Sequence, residues 1–304
     1  MRVLVAGGSG TIGVPLVRAL VAAGHHVTAS TRSPEKQAML RSLGATPVVV
    51  DALDAGALRR AVAAALPTHV IHQLTALPKG GPRRARELAP TNRLRDEGTR
   101  HLLDAAIAAG ATRLICGSFA LFGAAGTVAT DDAGIQQASA ALRSMESQIL
   151  DAARSRTIEG LVLRYGLFYG PGNPTTAEMI TLVRRRRLPM VSGDRGQLPY
   201  IHLDDAVAAT VAALEHGSSG STYDIVDDCP VSVSEIVRAM AEQIGAPRPY
   251  TVPAWLPRLV MPYLARLIAL RAPLSNAKAK AELGWRPIYP SYREGLRQTV
   301  ERAA

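Results

Sequence analysis

The run Gly7-Gly8-Ser9-Gly10-Thr11-Ile12-Gly13 is the stretch of this sequence whose residue types and spacing point most directly to chemistry. Glycines 7, 10 and 13 satisfy Gly-x-x-Gly-x-x-Gly. That spacing serves a tight turn, a close approach of backbone N–H groups to a pyrophosphate, and close packing of a helix on the preceding strand. A glycine-rich turn alone is only a βα turn. Here an apolar run from Arg2 to Ala6 precedes it and a helical pattern from Ile12 to Ala23 follows, which is the context a dinucleotide site requires. Gly7, Gly10, Thr11, Ile12 and Gly13 are therefore the first expected cofactor contacts.

The next residues bear on which dinucleotide. An NAD site usually carries Asp or Glu about 20 residues further on, at the end of the second strand, to hold the adenosine ribose 2′-hydroxyl. This chain reads Ser30-Thr31-Arg32-Ser33 there, with no acid. Arg32 can bind a 2′-phosphate, and the hydroxyls of Ser30, Thr31 or Ser33 can assist. NADP(H) is expected in preference to NAD(H).

The elements that position these residues alternate. Strands are predicted at Arg2 to Ala6, His26 to Ser30, Pro47 to Val50, His69 to Leu74, Arg113 to Gly117 and Leu161 to Arg164. Helices are predicted between them at Ile12 to Ala23, Glu35 to Leu43, Ala55 to Ala65, Arg93 to Ala109 and Ala138 to Arg154, with Gly24, Gly44 and Gly110 just past helix ends. This rhythm implies right-handed βαβ units and an α/β fold of Rossmann type, a doubly wound parallel sheet. After Tyr165 the sequence loosens into loops rich in Gly and Pro. A helix from Asp204 to Glu215 and a strand at Thr222 to Val226 read as a return to the main sheet. Residues 1–165 and 200–227 are expected to form the dinucleotide-binding domain, and residues 166–199 and 228–304 a smaller, mainly helical substrate region.

Composition narrows the classes of function. With 304 residues and 47% hydrophobic content the chain can bury a large core, and no apolar stretch is long enough to span a bilayer. The net charge of +10 is carried almost wholly by arginine, since only four of the 35 basic residues are lysine. The dense cluster Arg184 to Arg187 ends a helical stretch with few aromatics nearby, so it reads as a solvated helix end rather than a nucleic-acid site. Cys116 and Cys229 give neither a disulfide framework nor metal-ligand spacing, and Cys116 reads as packing inside a strand. A cytoplasmic enzyme with a small-molecule substrate is expected, without metal, nucleic acid or membrane.

With these motifs in view the chain resembles the extended short-chain dehydrogenase/reductases, the family of nucleotide-sugar epimerases and dehydratases. The resemblance covers essentially the whole length. It runs from the glycine loop through Asp51-Ala52-Leu53-Asp54, His72-Gln73-Leu74-Thr75-Ala76, Gly98 to Ala106 and Ser118 to Gly123. It continues at Leu163-Arg164-Tyr165, Tyr169-Gly170-Pro171-Gly172, Ile201 to Asp205 and Leu283-Gly284-Trp285-Arg286-Pro287. It implies that Asp51 and Ala52 border the adenine, that Leu74, Thr75 and Ala76 line the cofactor, and that a homodimer forms.

The resemblance also implies a catalytic apparatus: a Ser or Thr that polarises the substrate oxygen, and a Tyr-x-x-x-Lys pair on the following helix. Ser118 fills the first position. The pair is absent, because no tyrosine precedes Tyr165 and no lysine lies between Lys79 and Lys278. The Tyr position falls on Ala138 or Ser139, and the Lys position on Leu142 or Arg143, depending on a one-residue gap. Arg143 can still bind ribose hydroxyls. An asparagine frequent in the family is Arg95 here, with Asn92 one turn earlier. Tyr165 and Tyr169 flank the loop beyond the sixth strand and are the candidates for a substitute proton donor, beside the alternative that they only wall the pocket. The acids Asp204 and Asp205 after His202 are expected to cap a helix. The function that fits is an NADP(H)-dependent oxidoreductase acting on a small carbonyl or alcohol with a non-standard proton donor. The alternatives are epimerase or dehydratase chemistry, for which no strong base is evident, and a cofactor-binding sensor without turnover.

Overall fold

The structure, a computed structural model, describes residues 1–78, 81–82, 84–123, 133–260, 265–266 and 274–301. Parts of the expected C-terminal substrate region lie outside the described residues.

Seven strands form one sheet: β1 (Arg2–Ala6), β2 (His26–Thr31), β3 (Thr46–Val49), β4 (His69–His72), β5 (Arg113–Phe119), β6 (Glu159–Tyr165) and β10 (Thr222–Ile225). Their order is β10-β6-β5-β4-β1-β2-β3, and every pairing is parallel. The chain starts in the middle, winds out to one edge, returns and winds to the other. The crevice between the two halves, above β1 and β4, is where such sheets take a dinucleotide.

Both faces are covered, as a parallel sheet requires. One face packs on α1 (Gly13–Ala22), α2 (Gln37–Ser42), α7 (Leu203–His216) and α9 (Ala277–Leu283). The other packs on α3 (Ala55–Ala65), α4 (Thr99–Ala108) and α5 (Ala133–Arg154). Gly24, Gly44 and Gly110 adopt the left-handed conformation expected just past helix ends. The predicted helix from Arg93 is instead interrupted: a helical turn, Ala89–Arg93, passes through a π-helical turn, Leu94–Gly98, before α4.

Beyond β6 the chain builds a second layer from β7 (Leu167–Tyr169), α6 (Pro174–Arg184), β8 (Met190–Val191), β9 (Tyr200–His202), α8 (Val233–Gln243), β11 (Thr251–Val252) and α10 (Tyr292–Glu301). β7 pairs with β9 and β8 with β11. A third buried cluster, with Tyr169, Ile180, Tyr200, Met240 and Leu296, holds it together. Asp205, fully buried in the first turn of α7, accepts from the N–H groups of Ile288 and Tyr289 at 2.7 and 3.0 Å, while the Trp285 indole donates to Asp205 O. Asp205 is thus an anchor for the later chain and not a cap. His202 caps α7, its Nδ1 accepting from Asp204 N–H. Among the described residues no helix is long and apolar enough to cross a membrane.

Candidate active site and cofactor cleft

The glycine loop joins β1 to α1. Gly7 has φ +86°, and a Cβ there would stand 2.6 Å from Gln73 O on the neighbouring strand end. A Cβ at Gly13 would overlap Gly7 O and Gly8, so the helix can sit this close to the strand only with glycine there. Gly10 differs: it is exposed, and a Cβ would approach only Gly7 O, at 3.2 Å. The first turn of α1 has no side-chain cap and no acid. Open N–H groups beside an uncluttered Gly10 and an exposed Thr11 fit a pyrophosphate. Ile12 is buried in the core and can reach a ligand only through its backbone.

β2 braces this loop. Gly7 N–H donates to Ser30 Oγ at 3.1 Å, Gly8 N–H to Ser30 O at 3.0 Å, and Ser9 Oγ lies 2.8 Å from Thr31 Oγ1. Thr31 is buried, and its hydroxyl also accepts from Ser33 N–H, so it serves the loop rather than an incoming phosphate. Arg32 is exposed, and no described carboxylate pairs with it. Lys36, which sequence reasoning passed over, reaches Ser9 O at 3.5 Å from the turn after β2. Lys36 therefore joins Arg32 and Ser33 as a residue after β2 that could meet the expected 2′-phosphate. Across the cleft, Asp51 is exposed and closes a turn on Leu53 N–H, while Ala52 is buried. The loop Leu74-Thr75-Ala76 is held from behind, with Leu74 N–H donating to His72 Nδ1 and Ala76 N–H to Thr91 Oγ1. His72 is fully buried, and burial pushes its pKa down to about 4. Its Nδ1 is occupied as an acceptor, so Nε2 carries the proton and donates to Thr99 Oγ1 at 2.9 Å.

Ser118 lies near the end of β5, 7% exposed. Its hydroxyl donates to Glu146 Oε1 at 2.5 Å, and Glu146 is gripped by Arg164 through Nε at 2.9 Å and Nη2 at 2.6 Å. Sequence reasoning missed both partners. On α5 the buried stripe includes Ala138, Leu142 and Glu146, four residues apart. Ala138, Ser139 and Leu142 thus face inward among the positions where the family resemblance asks for Tyr (Ala138 or Ser139) and Lys (Leu142 or Arg143). Arg143 is exposed on α5, beside the buried stripe.

Neither candidate tyrosine meets Ser118. In the β5–β6 register Ser118 pairs with Arg164 and Phe119 with Tyr165, so Tyr165 projects from the opposite face of the sheet. Its hydroxyl lies 2.7 Å from Thr210 Oγ1 and accepts from Gln73 Nε2 at 3.0 Å, and burial drives its pKa up. Tyr169 is buried in the second layer, where its hydroxyl donates to Ser291 O and its ring abuts Tyr200 and His202. Burial raises its pKa too. The expectation that one of them donates a proton beside Ser118 is therefore corrected by the face of the strand and by the packing. Cys116 is buried packing, as expected.

A separate acid gives a stability test. Asp227, just past β10, is buried, its Oδ2 has no hydrogen-bond partner, and burial pushes its pKa up to about 8, aided by Asp228, Asp205 and Glu294. A raised carboxyl pKa gives stability that is complete below the unfolded value and lost as pH rises through the folded one. His72, with its lowered pKa, gives stability that is complete above about 6.5 and lost as pH falls. Between pH 6.5 and 8 only the Asp227 slope remains of the two. Urea unfolding should show wild-type stability falling by about 2 kcal/mol across that range relative to Asp227→Asn. Parallel curves for the two proteins would refute this.

The fold and the cleft together define a dinucleotide-binding oxidoreductase of the Rossmann type. The chain belongs to the NAD dependent epimerase/dehydratase family, which it matches over residues 3–226. It is 40% identical to 3-diazoavenalumate denitrifying reductase of a Streptomyces species, over 97% of this chain and 99% of that one. It is 25% identical to 4-hydroxy-2-methyl-3-oxo-4-farnesyl-3,4-dihydroquinoline-1-oxide ketoreductase of Stigmatella aurantiaca, over 96% and 83%. Among solved structures it resembles UDP-glucose 4-epimerase of Thermus thermophilus in complex with NAD, with TM-score 0.79, 25% identity, and 99% and 98% coverage.

Proposed function

We propose that this enzyme is an NADP(H)-dependent reductase whose substrate accepts hydride without needing a proton from the protein. The substrate would lie beside Ser118, under the segments 166–199 and 228–304. Bound NADPH would supply the hydride, becoming NADP+. The observation that carries this reading is the inward stripe of α5, where Ala138 or Ser139, 0% and 4% exposed, stands in place of a phenol, and neither Leu142, 1% exposed, nor the exposed Arg143 is a lysine. Tyr165 and Tyr169 are held elsewhere, and Glu146, the one described hydrogen-bond partner of the Ser118 hydroxyl, is committed to Arg164. A ketone reduced here would leave an alkoxide with no described acid to protonate it.

An arenediazonium ion has no such need. It takes up one hydride, a C–H bond forms, the C–N bond breaks with its electron pair leaving on dinitrogen, and atoms and charge balance. The name of the Streptomyces relative, a denitrifying reductase of a diazo compound, supports this class. Arg32 and Lys36 support NADP(H) over NAD(H). A homodimer is proposed on family resemblance alone.

The test is NADPH consumption with an arenediazonium salt and, separately, with acetophenone, each corrected for the rate without protein. Nitrogen should be released one-for-one with NADPH oxidised, acetophenone should turn over at least about 100-fold more slowly, and Tyr165→Phe should stay within about twofold of wild type. Rapid ketone reduction that collapses in Tyr165→Phe would overturn the proposal, and absence of turnover with either would favour a sensor.

A further inference from the structure

We propose that Glu146 and Arg164 set the polarity of the site by turning the Ser118 hydroxyl hydrogen away from the cleft, so that Ser118 meets its substrate as a hydrogen-bond acceptor. This rests on the reductase reading for the position of the substrate, and it names the kind of group that position selects: a hydrogen-donating or positively polarised one.

The geometry leaves one assignment of the hydrogen. Ser118 on β5 and Arg164 on β6 are register partners on the same face of the sheet. Glu146 reaches that face from α5. Its Oε1 accepts from Arg164 Nε at 2.9 Å, its Oε2 from Arg164 Nη2 at 2.6 Å, and Oε1 also lies 2.5 Å from Ser118 Oγ. A guanidinium keeps its protons, and held in this two-pronged way it takes Glu146 as a carboxylate. A carboxylate only accepts, so the serine must donate. A hydroxyl owns one hydrogen and two lone pairs, so only the lone pairs remain for a ligand. Swinging the hydrogen toward a substrate carbonyl would break a charge-assisted bond to an acid that is 5% exposed, where water cannot replace it. A carbonyl oxygen would therefore face lone pairs. In the family this chain resembles, the serine polarises a substrate oxygen; here Glu146, a positioning residue, reverses its sense.

Glu146→Gln tests this, because the neutral amide cannot replace the carboxylate: Oε1 serves both Ser118 Oγ and Arg164 Nε, so an amide oxygen there leaves its nitrogen against Arg164 Nη2, and an amide nitrogen there faces Arg164 Nε. The serine hydrogen then loses its charge-assisted acceptor and can turn toward the cleft. The measurement is binding of two probes that share a ring, 1-phenylethylammonium as donor and acetophenone as acceptor, by competition calorimetry with NADP+ present. Wild type should favour the ammonium by about tenfold or more, the size of one polar bond made or left unmade. Glu146→Gln should shift the ratio several-fold toward acetophenone, and Ser118→Ala should bring it close to one. NADP+ affinity and melting temperature serve as the check that each variant is folded, and Ser118→Ala alone decides the matter where Glu146→Gln does not fold. A probe ratio unchanged in folded variants would overturn the inference and leave the Ser118–Glu146 bond as packing. Failure of wild type to bind NADP+ would overturn the reductase reading instead, and the ratio measured without cofactor would still decide the direction of the hydroxyl.

Discussion

Replacing Gly10 by valine should weaken binding of both NADPH and NADH by about 100-fold or more, a loss of about 2.8 kcal/mol, while the fold survives. Gly10 is exposed and its backbone does not need the left-handed region. An added Cβ meets only Gly7 O at 3.2 Å, a contact that small loop shifts can absorb. The valine methyls would instead fill the space over the open N–H groups at the start of α1, where a pyrophosphate would sit. Gly13→Val is the contrasting variant. Its side chain would overlap the backbone of Gly7 and Gly8, so it should lower the melting temperature sharply whether or not nucleotide is present. Fluorescence titration and thermal melts separate the two effects. Unchanged nucleotide affinity in folded Gly10→Val would place the cofactor elsewhere.

Arg32→Asp should shift the NADPH/NADH affinity ratio by about 100-fold or more toward NADH. A charge-assisted bond to the 2′-phosphate is worth about 1.5–3 kcal/mol, and the aspartate adds repulsion of that phosphate while offering an acceptor for a 2′-hydroxyl. Arg32 suits the role because it is exposed and pairs with no described carboxylate, so nothing must be broken to engage a ligand. Lys36→Ala should move the ratio the same way by a smaller factor, since its ammonium sits at the rim, beside Ser9 O. A ratio that stays fixed in Arg32→Asp would remove the charge argument.

The sequence made the sheet readable because its strands are short apolar runs bounded by turn residues: β1 was expected at Arg2 to Ala6 and α3 at Ala55 to Ala65, and both lie there. What it hid was the face of each residue. In β6, Leu161, Val162 and Leu163 are all buried, on alternating sides, so a doubly covered strand carries no polar alternation to reveal which way Tyr165 points. In the sequence Tyr165 reads as a proton donor beside Ser118 or a wall of the pocket, and the register puts it on the face of the sheet opposite Ser118. Glu146 was hidden differently. It lies among Ser144, Met145 and Ser147 and reads as a surface residue, although its spacing from Ala138 and Leu142 puts an acid in an apolar stripe, which calls for a buried partner. Arg164, within an apolar strand, was that partner. Lys36 and the π-helical turn at Leu94–Gly98 left no local signal, because each depends on contacts made across the fold.

The anchoring of α7 has a consequence for biosynthesis. The Asp205 carboxylate takes its hydrogen bonds from Ile288 and Tyr289, 83 and 84 residues later in the chain. During translation, which supplies residues in order, α7 emerges with a carboxylate it cannot bury until that distant segment arrives. The nascent nucleotide-binding half therefore carries this helix with Asp205 still hydrated, and the Trp285 segment can latch onto it only after residue 289 has been made.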